Sequence, residues 1–327
     1  MSKDHFVAQT YVKHFGDPKL RGMLHGYRKP EGTTFPCWPK DVCHEWNGDI
    51  NPVLRQPELL GNYRKYFEPH WNASTANIVS GKIVAHDKWA ISGYMANLMA
   101  CIPAWHRVDV RAGGKMAEAM VRNSVELRKK HGEVISEPLE WGLACLKNGQ
   151  MKVAVDPDGI KASATNDLIQ YAWLSYNLDW VIIKNETEQP FITSDNPFAY
   201  EWSGEFNAPV RRYLPITPQY CICIVFDPDC RDDRVLTPQL LEEGLTRGPA
   251  GGVRGANARP VEVREINKLM VQCAEEQVFS SESIENLPSV IQKYGQYRLE
   301  AEFFEVSMPG QSGVKLGHRI VVRPRID

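Results

Sequence analysis

No run of apolar residues approaches the about eighteen that a membrane-spanning helix needs, so no membrane segment is expected. The opening Met1-Ser2-Lys3-Asp4-His5 lacks a charged stretch leading into an apolar one, so no export signal is read there. A surplus of one charge sign is missing too. Lys and Arg number 38 against 40 Asp and Glu, a formal net charge of −2, and no global field exists to hold a phosphate backbone. Nucleic acid is therefore not supported as a partner. The chain contains neither GxxxxGK[ST], whose backbone would cradle nucleotide phosphates, nor GxSxG, which would present a nucleophilic serine. Cys37, Cys43 and His44 have no second pair at zinc-site spacing, so no metal is expected, and no motif names a cofactor. Low-complexity tracts and internal repeats are absent as well, and no segment joins low hydrophobicity to high charge.

What is present is the composition of a folded protein: 327 residues, 43% of them apolar and 24% charged. Of the eight cysteines, Cys101, Cys145, Cys221, Cys223 and Cys273 fall in apolar periodic segments. That is the usage of buried, reduced thiols, and with the missing export signal it points to a cytoplasmic protein.

The periodicity predicts one α+β domain over 1–327, a helical layer packed on a largely antiparallel sheet. Residues 1–35 supply an opening helix, with Val7, Ala8, Tyr11, Val12 and Phe15 on one face, and a strand over 23–29. A turn-rich stretch follows, and four prolines make 36–57 irregular. The middle, 87–179, reads as four helices. The first is capped by Asp87 and broken at Pro103; the second follows Gly114 with Met116, Met120, Val121 and Leu127 inward. Ser136 opens the third, and Leu168, Ile169, Ala172, Trp173 and Tyr176 line the fourth. The remainder, 180–327, is strand-rich. "WVIIK" and "PFIT" are expected to form a hairpin and "YCICIVF" a further strand. "TRGPAGGVRGANARP" reads as a Gly-rich surface loop, before an amphipathic helix through Val263, Ile266 and Met270 and a terminal hairpin around Pro309-Gly310.

The order of several short motifs is informative. His5-x-x-Ala8-x-x-Tyr11-x-x-x-Phe15, Tyr27-x-Lys29, the "TSDNPF" of 193–198 and "YLPITPQ" before a strand resemble the bacterial family known as domain of unknown function 4238. That family tends to open with H-x-x-P-x-x-Y-L and to carry a T-S-D-N-P segment and a P-L-S-P-like turn. This chain departs from it at Ala8 and at Ile216-Thr217-Pro218, and neither change touches an ionisable group. The resemblance implies a shared α+β fold and a shared set of polar positions, and it raises His5 above the other histidines.

Asp195, in the Asp-Asn-Pro turn, is the best-placed carboxylate. It is either an Asx cap on backbone N–H groups or a reagent facing a cleft. His5, in or just before the first turn of the opening helix, is either a surface or capping imidazole or a general base or ligand, because its ordinary pKa suits proton transfer. Arg107, just past the Pro103 break, is the preferred anion anchor, since a guanidinium recognises carboxylate or phosphate with two donors. Tyr11 and Asn196 complete the candidate set as substrate-binding groups, and an unidentified small-molecule or anionic ligand is the expected partner.

Two function classes follow. One is an intracellular hydrolase-like or phosphoryl-directed enzyme, with Asp195 and His5 as acid–base groups. The other is a non-catalytic ligand- or protein-binding module in which the same residues fix the fold. Convergence of Asp195, His5 and Arg107 in one concavity would favour the first.

Overall fold

The computed structural model describes residues 2–29, 31–203, 208–226, 236–307 and 314–325. Its fold is α+β, with mostly antiparallel sheets. The largest sheet runs in the order Val253–Asn257, Asp179–Lys184, Tyr220–Val225, Ala208–Thr217, Ala199–Ser203. Only its first pair is parallel.

Side chains alternate across these strands, and both faces are covered. Trp180, Ile182, Leu214, Ile222 and Ile224 meet Ile91, Tyr94, Met95 and Leu98 of the Ala85–Cys101 helix. From the opposite face, Tyr213, Cys221 and Cys223 meet Val263, Ile266 and Met270 of the Pro260–Cys273 helix. Ala85–Cys101 is buried nearly all round, as a helix between layers must be. A Cβ at Gly93 would lie 2.0 Å from the Phe67 ring, so only glycine lets the Leu59–Phe67 helix pack so close.

A four-stranded sheet ordered Thr33–Cys37, Leu24–Arg28, Gln277–Ser280, Thr193–Ser194 positions the TSDNP turn. It sets Ser194 opposite Val278 and so brings Asp195 to the segment that leaves the Pro260–Cys273 helix. Among the described residues no helix is long and apolar enough to cross a membrane. Cys37, Cys43, Cys101, Cys145, Cys221, Cys223 and Cys273 are all buried and unbridged.

Several expectations are corrected. His5 lies on a short strand, Lys3–His5, ahead of the opening helix, because it pairs with His44–Trp46. The turn-rich stretch contains the strand Thr33–Cys37, held by its ladder to Leu24–Arg28. "WVIIK" and "PFIT" belong to different sheets and form no hairpin; Tyr220–Val225 takes the antiparallel edge of Asp179–Lys184 instead. Gly114 does not open a helix. Pro103–Lys130 is continuous, and Gly113 and Gly114 instead admit Ile160 and the Val153 carbonyl. Beyond that crossing, Met116, Met120, Val121 and Leu127 are exposed, since the inward register falls on Ala112, Ala119 and Val125. The Gly-rich stretch is not all loop, because Val253–Asn257 adds to the sheet edge beside Asp179–Lys184. The terminal strands Tyr297–Ser307 and Val314–Pro324 pair as expected; Pro309 and Gly310 lie outside the described residues.

Candidate functional site

Asp195 sits inside a turn that Ser194 closes by itself. The Ser194 hydroxyl accepts from the Asn196 N–H at 3.2 Å and donates to the Asn196 carbonyl at 2.5 Å. Local capping is thus complete without Asp195, whose carboxylate reaches eighty residues along the chain. Its Oδ1 accepts from the Glu275 N–H at 2.9 Å, and its Oδ2 from the N–H groups of Glu276 and Gln277 at 2.7 and 2.9 Å.

Lys29 grips the same segment from the other end. Its Nζ donates to the Ala274 carbonyl, one of the orphan acceptors at a helix C-terminus, and to the Tyr297 carbonyl at 2.7 Å. Lys29 takes the carbonyl and Asp195 the N–H groups, so two opposite charges clamp residues 274–277. Burial pushes the Asp195 carboxyl up to about 6, although the Glu276 N–H, Lys29 and the Glu275 N–H pull it back down. Burial also lowers the Lys29 ammonium to about 8, against the pull of Asp195.

Tyr11 and Asn196 belong to the same joint and are both completely buried. The Tyr11 hydroxyl donates to the Pro215 carbonyl at 2.7 Å and lies 2.7 Å from Thr193 Oγ1. Asn196 Nδ2 donates to the Cys273 carbonyl at 2.8 Å. Stretches far apart in sequence, around Tyr11, Lys29, Thr193 to Asn196 and Pro215, therefore meet at the end of one helix.

A cavity of about 540 Å³ opens beside this joint, with Phe6, Val42 and Pro103 as apolar walls. Asp195 and Arg107 both line it, together with Asp41, His44, Glu275 and Glu276. His5 is not part of the lining. It sits in register with His44, the two rings 5.6 Å apart, and its Nε2 faces the Lys40 carbonyl at 3.2 Å. Burial lowers its pKa.

The guanidinium of Arg107 is engaged. Its Nε and Nη2 each donate to Glu275 at 2.8 Å, Nη1 to Glu300 at 3.2 Å, and Nη2 also to the Leu299 carbonyl at 2.8 Å. The nearly inaccessible Glu300 takes Arg111 at 2.5 Å and Arg298 at 2.7 Å as well. Two ionised residues meant for a ligand are thus spoken for within the protein. Of the lining carboxyl, imidazole and guanidinium groups, only Asp41, His44 and Glu276 have no side-chain hydrogen bond or ion pair among the described residues.

Sequence reasoning missed Asp41, Glu276 and the Lys29–Asp195 clamp, and weighed His44 only as a metal ligand. One signal was available. Glu275 and Glu276 directly follow the last apolar position of a helix, where its dipole disfavours negative charge, so cations such as Lys29 and Arg107 are called for. Among the described residues no group of three or more His, Cys, Asp or Glu could hold a metal ion.

The profile of one protein family, described as "Protein of unknown function (DUF4238)", matches residues 3–283. Comparison with curated proteins and with solved structures returns no match.

Proposed function

The chain belongs to the DUF4238 family, and from that premise we propose that it is a ligand-binding protein whose Asp195 cleft takes a small organic cation. The supporting observation is the charge left over. Lys29 offsets Asp195 and Arg107 offsets Glu275, which leaves Asp41 and Glu276 unpaired among the described residues, beside Phe6, Val42 and Pro103. A volume of about 540 Å³ suits a small molecule. Two carboxylates with apolar walls favour an ammonium group on a carbon skeleton over a phosphate or an acid. The buried, unbridged thiols suit a reducing, cytoplasmic setting.

The test is a thermal-shift panel of aliphatic and aromatic amines against the matching carboxylates. Amines should raise the melting temperature and carboxylates should not, and Asp41→Asn with Glu276→Gln should remove the amine effect. Stabilisation by the carboxylates alone would sink the proposal. The rival hydrolase-like or phosphoryl-directed reading draws on Asp195, a carboxyl titrating near 6 at the cleft wall. It requires that carboxylate to leave three backbone N–H groups before acting. Turnover of phosphate or carboxylic esters by the parent protein, abolished in Asp195→Asn, would favour it.

A further inference from the structure

A second cavity, about 560 Å³, lies between the five-stranded sheet and the first half of the Pro260–Cys273 helix. Its floor is set by register. Arg254 stands opposite Val181, Val181 opposite Cys223, and Cys223 opposite Tyr213. This row crosses four strands on one face, about 14 Å from end to end at the usual strand spacing. Ile183, Val225 and Ala256 widen the apolar floor, and Ile266 and Leu269 form the roof.

The charges around it cancel with one exception. Glu201 holds Arg211 at 3.1 Å and accepts from the Tyr213 hydroxyl at 2.6 Å. Arg259 pairs with Glu262 at 3.0 Å, and Lys268 with Glu265. Arg254 alone among the ionisable lining residues has no side-chain hydrogen bond or ion pair within the described residues. An exposed arginine is commonplace by itself. This one closes the end of a cross-strand apolar row, and its neighbours have already neutralised each other.

We propose that this groove is a second ligand site, binding a small amphiphile that lays an apolar chain over the partly exposed Val181, Ile183 and Val225 and sets one carboxylate on Arg254. Its ligand class is opposite in charge to that of the Asp195 cleft, and it does not depend on the reading given for that cleft. A guanidinium recognises a carboxylate with two parallel donors, and Val181, Ile183 and Val225 supply apolar surface for the chain.

The experiment is titration calorimetry of the whole protein with octanoate, 1-octanol and octyltrimethylammonium. Octanoate should bind, 1-octanol more weakly, and the cation least. Arg254→Gln should weaken octanoate roughly tenfold, the scale of a lost charge-assisted bond, without changing 1-octanol. Arg254→Lys should recover part of the loss. Equal affinity for octanoate and 1-octanol, an unchanged octanoate affinity in Arg254→Gln, or no octanoate binding would each overturn the site.

Discussion

The two cavities are nearly equal in volume, about 540 and 560 Å³, yet they use charge in opposite ways. The Asp195 cleft has the more conspicuous residues, a buried carboxylate and a guanidinium, and both are consumed by the fold. Around the sheet groove the acids and bases pair off at the rim and leave one exposed arginine over. An ionised group in a cleft is available to a ligand only to the extent that its own neighbours leave it lone pairs or N–H groups. Counting those partners inverts the ranking that residue type alone suggests.

The sharpest test of this contrast is Asp195. A local Asx cap tolerates asparagine, because one amide oxygen replaces one carboxylate oxygen. Here two oxygens serve three N–H groups, and an amide would turn its own N–H toward one of them. Asp195→Ala should cost about 3–5 kcal/mol, the scale of several lost hydrogen bonds to a charged group, and Asp195→Asn about 1–3 kcal/mol in urea unfolding. A silent Asn variant would mean that the carboxylate is free after all.

The same pair of proteins carries a pH signature. The folded-state pKa of Asp195 is raised from 3.8 to about 6, so its contribution to stability is full below the lower value and is lost as pH rises through the upper one. The advantage of the parent over Asp195→Asn should therefore narrow between those values. An advantage that grows across that window would show hydrogen bonding to outweigh burial.

A smaller effect is expected at Arg107. Lysine keeps the charge but cannot span both Glu275 oxygens while reaching Glu300 and the Leu299 carbonyl. Arg107→Lys should cost about 2 kcal/mol, the scale of lost hydrogen bonds to charged groups. A neutral result would mark the guanidinium as available to a ligand. Smallest of all, Arg254→Gln should shift stability by less than about 0.5 kcal/mol, as exposed substitutions without partners do. A larger loss would tie Arg254 into the fold and remove the contrast.

Much of the fold was legible because it rests on local periodicity. The Leu168–Asn177 and Pro260–Cys273 helices bury the residues that spacing selects, with Ile169 only partly covered. Strand pairing was less legible. Nothing local says that Asp179–Lys184 should pair with residues forty positions on, or that a Gly-rich stretch should join it from the far side. For the site, the sequence pointed to the turn that carries Asp195, and that residue lines the cleft. The role of Asp195 depended on N–H groups at 275–277 and on Lys29, contacts with no spacing signature. His5 was misplaced for the same reason, since its strand exists only through His44–Trp46.

The terminal hairpin lies beyond the matched stretch, residues 3–283, yet Leu299, Ala301 and Val321 are buried within the protein. Lys29 and Arg107 each divide their donors between residues 274–275 and the hairpin, through the Tyr297 carbonyl and through Glu300 with the Leu299 carbonyl. Arg325 closes the circuit on the Glu275 carbonyl. The edge of sequence likeness is thus not an edge of the wiring. A chain cut at 283 would strand donors on two cations whose tasks straddle the cut, so a truncation series is a poor way to find the smallest working unit of this protein.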